Sequence, residues 1–191
     1  MRSIKLLLIL SLFPLLVGAE EPSYIGIKQC KLCHQPHYDS WYGTRMSKAF
    51  ELLQPGVRSE QKKAAGLDPQ QDYTADPACL ACHTTGYGKE GGFVSLEKTP
   101  DMINVQCEMC HGPGSIYAEM MIKKRGTYTL EDYTTQGGMI LPSEKSNICA
   151  EACHNPSSPF VASGFKFNFK NRRDIGTHRH DIEYIDNPLN F

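Results

Sequence analysis

The chain has no spare cysteine, no apolar run of membrane length and no excess of charge of either sign. Lys and Arg number 20 against 21 Asp and Glu, for a formal net charge of −1, so the basic footprint of a nucleic-acid binder is missing. Mean hydropathy is −0.39, and beyond residue 19 nothing approaches the length needed to span a bilayer. No segment recurs at a fixed period, which excludes a solenoid or repeat array. No acid and base stand beside one another in the manner of a catalytic pair.

All eight cysteines are instead used in pairs, each pair followed directly by histidine. Cys30-Lys31-Leu32-Cys33-His34, Cys79-Leu80-Ala81-Cys82-His83 and Cys107-Glu108-Met109-Cys110-His111 share the form Cys-x-x-Cys-His. Cys149-Ala150-Glu151-Ala152-Cys153-His154 has one further residue between its thiols, which requires a bulge to keep the sulfur spacing. A single Cys-x-x-Cys reads equally as half a zinc site, a redox dithiol or part of a disulfide framework. Four pairs each with a trailing His point to covalent haem c: the thiols Cys30, Cys33, Cys79, Cys82, Cys107, Cys110, Cys149 and Cys153 add to vinyl groups, and His34, His83, His111 and His154 become proximal iron ligands. Four macrocycles on 191 residues then supply much of the buried apolar surface.

Residues 1–19 have the order of a secretory signal: Arg2 and Lys5, the 12-residue apolar run Leu6 to Val17, and the small-residue site Val17-Gly18-Ala19. The run is short for a bilayer span, the bland alternative being an uncleaved anchor. Cleavage predicts a periplasmic, soluble chain over 20–191, one tetrahaem domain. Removing Arg2 and Lys5 takes the formal charge from −1 to −3, which steers an electron carrier toward basic partners.

The fold class predicted is mainly α, short helices and long loops wrapped around four haems, with minor β. Tyr24 to Gln29 reads as an extended arm. Apolar residues at helical spacing predict one amphipathic helix from His37 to Gln54, stopped by Pro55-Gly56, then a polar helix over Arg58 to Ala65 closed by Gly66. Asp68 to Pro77 is a loop feeding the second motif. Phe93 to Leu96 reads as a short strand paired with Ile103 to Val105, setting the approach to the third motif. After Gly112-Pro113-Gly114, Ser115 caps a helix to Lys124, with cations at its C-terminal end. A short helix over Leu130 to Thr134, a helix capped by Ser143 carrying the fourth motif, and a strand-like Phe165 to Phe169 complete the pattern.

Four proximal histidines leave His37, His178 and His180 out of seven for four distal positions, so at least one iron takes another ligand or stays open. His37 lies three residues past His34 and reads as a surface or propionate-binding group. His178 and His180 point to opposite faces of an extended segment. Met46 and Met121, on the predicted helices after the first and third motifs, read first as core filler, and the shortage of histidines brings them forward as ligands.

From Tyr24 to Gly114 the motifs Ser40-Trp41, Ala49-Phe50-Glu51, Gly66-Leu67-Asp68-Pro69, Asp72-Tyr73-Thr74, Gly86-Tyr87-Gly88, Gly91-Gly92 and Cys107-Glu108-x-Cys-His-Gly-Pro-Gly resemble the tetrahaem cytochrome c-554 family of ammonia-oxidising bacteria. The similarity thins through the linker and returns around the fourth motif and His178-x-His180. The resemblance implies a mostly helical fold around closely paired haems. It implies a donor resembling hydroxylamine oxidoreductase, and a downstream cytochrome or quinone-linked acceptor. It also implies an open distal side at His83. Of the family's three distal histidines, one corresponds to His178, serving the third haem; two correspond to Met121, for the first haem, and Met46, for the fourth. Thioether in place of imidazole implies higher potentials.

Two functions follow as expectations. The first is an electron carrier, which needs no catalytic side chain. The second is a small nitric oxide reductase at the His83 haem, which needs proton donors over the iron; Asp72, Tyr73 and Asp76 precede the motif, but they read first as a solvated loop. A haem wire with a ligand donated between subunits, by His37 or His180, is a third.

Overall fold

Glycines and prolines around the thiol pairs chop the chain into short helices. A computed structural model describes residues 21–124, 127, 129, 131–143, 148–161 and 166–179; the expected leader 1–19, Phe165 and His180 lie outside them. The helices are α1 (Ile27–Cys33), α2 (Gln35–Tyr42), α3 (Ser59–Ala64), α4 (Pro77–His83), α5 (Glu108–His111), α6 (Ser115–Lys124), α7 (Ile148–Ala152) and α8 (Phe169–Gly176). None of the described helices is long and apolar enough to cross a membrane.

Each motif occupies the end of one of these helices. Thiols three positions apart lie on one helical face, and the following His is delivered next to them. In the first and third motifs the His N–H closes onto the carbonyl of the first Cys, His34 to Cys30 and His111 to Cys107, both at 2.9 Å. The fourth motif keeps the same closure over one more residue: His154 N–H donates to Cys149 O at 2.7 Å. The extra residue thus widens the last turn while the His154 N–H still closes onto the first Cys.

Several predicted elements differ. The extended arm is shorter, since α1 begins at Ile27. The single helix expected over His37 to Gln54 is three pieces: α2, then 3-10 turns at Met46–Lys48 and Phe50–Leu53. The break has a local cause. The Ser47 hydroxyl donates to the carbonyls of Tyr42 and Thr44 at 2.7 and 2.9 Å, which competes with the helical ladder beyond Gly43. The Asn104 carboxamide also draws Phe50 N–H away at 2.8 Å.

No strand forms among the described residues, and the expected pair Phe93–Leu96 with Ile103–Val105 is absent. Its place is taken by one isolated bridge, Thr84 to Ile103. Pro100, which has no N–H to give a ladder, opens a 3-10 turn at Pro100–Met102, and Asn104 turns the chain at φ 71. The strand-like run ending at Phe169 instead feeds α8, whose first turn is capped by the Asn168 side chain accepting from Asn171 N–H at 3.0 Å. Of the short helix expected over Leu130 to Thr134, Leu130 lies outside the described residues, and the helical turn that forms is of π type and runs on to Gln136, over Asp132–Gln136. Helix α7 is described from Ile148, and residues 144–147, between it and the expected Ser143 cap, lie outside the described residues.

The protein's own core is small. Phe50, Leu53, Tyr73, Leu80, Phe93 and Met102 form one cluster beneath α4. Around it, buried polar groups are satisfied: Thr84 Oγ donates to Leu80 O, while Thr85 Oγ donates to Asn104 O and accepts from Gln106 N–H. The second motif is thereby tied to the approach of the third.

Candidate functional site

The arm before α1 joins the first motif to the third through one carboxylate. Glu108, 3% exposed, sits between the thiols of the third motif. It accepts N–H bonds from Ile25 at 2.9 Å, Gly26 at 2.7 Å and Gly114 at 2.8 Å. Gln106 Oε1 takes Ile27 N–H at 2.7 Å. The Ser115 hydroxyl, expected to cap α6, accepts Ser23 N–H from the same arm at 2.9 Å. Sequence reasoning had no role for Glu108; its position between two thiols was the available signal.

This stapling brings thiols of different motifs together. Cys30 hydrogen-bonds Cys107, which pushes the Cys30 thiol up and pulls Cys107 down. Cys82 is held at about 7 by its hydrogen bond with Cys153, and its Sγ lies 3.8 Å from Ala152 O. Cys110 is pushed up to about 12, by burial first and then by Cys149 and Cys107. Thiols of motifs one and three, and of motifs two and four, are therefore neighbours, and Cys149 acts on Cys110 through charge. None of the eight cysteines is in a disulfide.

The imidazoles are oriented by backbone carbonyls. A carbonyl only accepts, so His83 Nδ1–H donates to Ala49 O at 2.6 Å and His111 Nδ1–H to Ile140 O at 2.9 Å. That tautomer makes Nε2 the lone-pair nitrogen, as iron ligation requires. Burial lowers the pKa of His34, His83 and His154 and so favours the neutral, ligating form. The His154 ring stacks on Phe167 at 4.6 Å, so one ring of the aromatic run lies against the fourth motif. Eight unpaired thiols on helical faces and neutral imidazoles behind them fit four covalently held haems.

Of the predicted distal groups, His178 is brought to the site most directly. Its ring lies 6.1 Å from that of His111, centroid to centroid, with planes 22° apart. Its Nδ1–H donates to Arg179 O at 2.8 Å, and Ser40 Oγ holds Arg179 N–H at 2.7 Å. His37 lies between two of these rings, 5.9 Å from His34 and 5.1 Å from His178. Met46 is half-buried in the turn that ends at Ala49, the residue that orients His83. Met121 is half-buried on α6. Tyr117, which the helical pattern counts as an apolar position, has its hydroxyl 3.2 Å from His34 Nε2.

The residues considered as proton donors before the second motif are engaged elsewhere. Asp72 and Asp76 accept from Thr74 and Ala78 N–H groups in exposed turns, at 2.8 and 2.9 Å. Tyr73 is a core residue whose hydroxyl donates to Asp68 O.

Residues 29–112 match the family described as cytochrome c554 and c-prime. The chain is 33% identical over 180 residues to cytochrome c-554 of Nitrosomonas europaea, covering 83% of this chain and 77% of that relative. It also resembles the solved reduced state of cytochrome c554 from Nitrosomonas europaea, with TM-score 0.67 and 31% identity over 84% of this chain and 87% of the other.

Proposed function

The chain belongs to the cytochrome c554 family, and from that premise we propose that it relays electrons in the periplasm between a hydroxylamine oxidoreductase-like donor and a downstream cytochrome or quinone-linked acceptor. It is a c-type electron carrier with four covalently bound haem c groups. Each haem, when bound, supplies a reversible one-electron iron couple. The polypeptide attaches, spaces and tunes.

The observation that carries the relay reading is the way the motifs are tied together. Glu108 joins the third motif to the arm of the first, Thr85 joins the end of the second to the approach of the third, and Cys82 Sγ lies 3.8 Å from Ala152 O of the fourth, so the four attachment points form one connected set. His34, His83, His111 and His154 serve as proximal ligands. His178 would serve the haem of the third motif: its ring lies 6.1 Å from that of His111 with planes 22° apart, and both rings have Nδ1 engaged by a carbonyl, which leaves Nε2 for a metal. Met121 and Met46 would serve the first and fourth haems, and the haem at His83 would have no distal side-chain ligand.

The alternative, a nitric oxide reductase at the His83 haem, lacks support from its surroundings, because Asp72, Tyr73 and Asp76 are occupied with turns and core. Intact mass of the exported protein tests the cofactor load, four added haems being expected. Rapid mixing with a reductant tests the relay: all four haems should equilibrate faster than they are reduced from solution. Four independent reduction phases would refute it, and nitric oxide turnover outpacing transfer to an acceptor would favour the reductase.

A further inference from the structure

Among the described residues Lys62, Glu108 and Asp132 are the charged side chains that are buried. Asp132 is paired with Lys124, and Lys62 closes onto the Gln54 carbonyl at 2.6 Å. Glu108 lies inside the third motif, and no cation stands within ion-pair distance of it among the described residues. It accepts three N–H bonds and donates none, the pattern of an ionised carboxylate. Those dipoles satisfy its oxygens but leave its net charge in place, and a dipole's field falls away faster than a charge's. At 3% exposure the charge is shielded from water and dissolved ions, so it acts over a longer range than it would at the surface.

Two attachment sites lie within that range. The chain places Glu108 directly beside Cys107. Its Oε2 takes Gly26 N–H at 2.7 Å, and the carbonyl of the same Gly26 accepts from Cys30 Sγ at 3.6 Å. The Glu108 charge disfavours a thiolate at Cys30 and at Cys107, on top of the larger effects of the thiol–thiol bond and burial. The residues at the same place in the other motifs are Lys31, Leu80 and Ala150, and the fourth motif's own acid, Glu151, is exposed. We propose that Glu108 sets redox potentials, its buried negative charge lowering those of the first and third haems together. An electron added to iron is disfavoured beside a fixed carboxylate, so the ferric form gains. Each of the two haems becomes a better donor than its ligands alone would make it. This rests on haem attachment at the first and third motifs and on no choice of distal ligand.

The test is a spectroelectrochemical titration of the purified four-haem protein, Glu108→Gln and Glu108→Asp, with intact mass taken first. Glu108→Gln keeps the shape and removes the charge, and two of the four potentials should rise, at low and at high salt alike. Simple loosening of the junction has the opposite sign, because water reaching a haem favours ferric iron and lowers its potential. Glu108→Asp keeps the charge on a shorter arm, so it weakens the staple and its potentials should not rise. Unmoved or lowered potentials in Glu108→Gln, or an equal rise in Glu108→Asp, would overturn the proposal. If Glu108→Gln does not load four haems, Glu108→Asp decides: potentials at or below the parent's uphold the role of the charge, and raised ones overturn it. Fewer than four haems in the parent protein would instead overturn the reading of the motifs.

Discussion

Replacing Glu108 tests whether one buried carboxylate holds the first and third motifs together. Its Oε1 accepts from Ile25 and Gly114, and its Oε2 from Gly26. Hydrogen bonds to a charged acceptor contribute about 1.5–3 kcal/mol each. Glu108→Gln can keep Oε1 as a carbonyl and preserve two of the three bonds. The new NH2 then faces Gly26 N–H across the former 2.7 Å bond, donor against donor. One charged bond is lost, so the expected cost is about 2 kcal/mol. Glu108→Ala leaves three donors to whatever water can enter, and the cost rises to about 4 kcal/mol, less than the simple sum because the site relaxes. For a chain of this length those values correspond to falls in melting temperature of roughly 6 and 12 °C. Unfolding of the haem-loaded protein in guanidinium, followed by far-ultraviolet circular dichroism and haem absorbance, reads both. The reasoning is refuted if Glu108→Gln matches the parent within about 0.5 kcal/mol, or proves less stable than Glu108→Ala.

Three further outcomes are expected. Met121→His exchanges thioether for imidazole and should lower the potential of one haem in a redox titration, while an unchanged set of potentials would mean that Met121 only packs. Gly91→Ala should destabilise by about 3 kcal/mol or more in thermal melts, because Gly91 has φ +72 and an added Cβ would collide with the Tyr24 carbonyl. Lys124 and the Thr129 N–H hold the Asp132 carboxyl below its ordinary 3.8. Stability from this group is therefore complete above the unfolded value and is lost as pH falls through the lower folded one. The protection factors of amides at the end of α6, with the intrinsic pH dependence of exchange divided out, should be flat from neutral to about pH 5 and fall below about pH 4, and Asp132→Asn should remove that acid step.

The haem-attachment motifs could be read from the linear chain because their chemistry is set by spacing, and spacing survives any fold. Helix α6 was legible from its apolar positions, and α3 from its closing glycine. The break after α2 was not, since it depends on where the Ser47 hydroxyl finds its acceptors. The expected strands failed for a comparable reason: Phe93 and Ile103 both bond to the Thr84-Thr85 segment rather than to each other. At the site, the role of Glu108 depends on a partner 82 residues away in the chain. Backbone carbonyls such as Ala49 O and Ile140 O, which orient His83 and His111, leave no mark on residue identity at all.

The thiol contacts interleave along the chain: the first motif meets the third, and the second meets the fourth. Any single cut between His83 and Cys107 therefore severs both partnerships at once. The protein has no two-haem half that could be excised, swapped or duplicated as a module. Gain or loss of cofactors by simple truncation is closed to it, and new length can be added only at surface loops or beyond the ends.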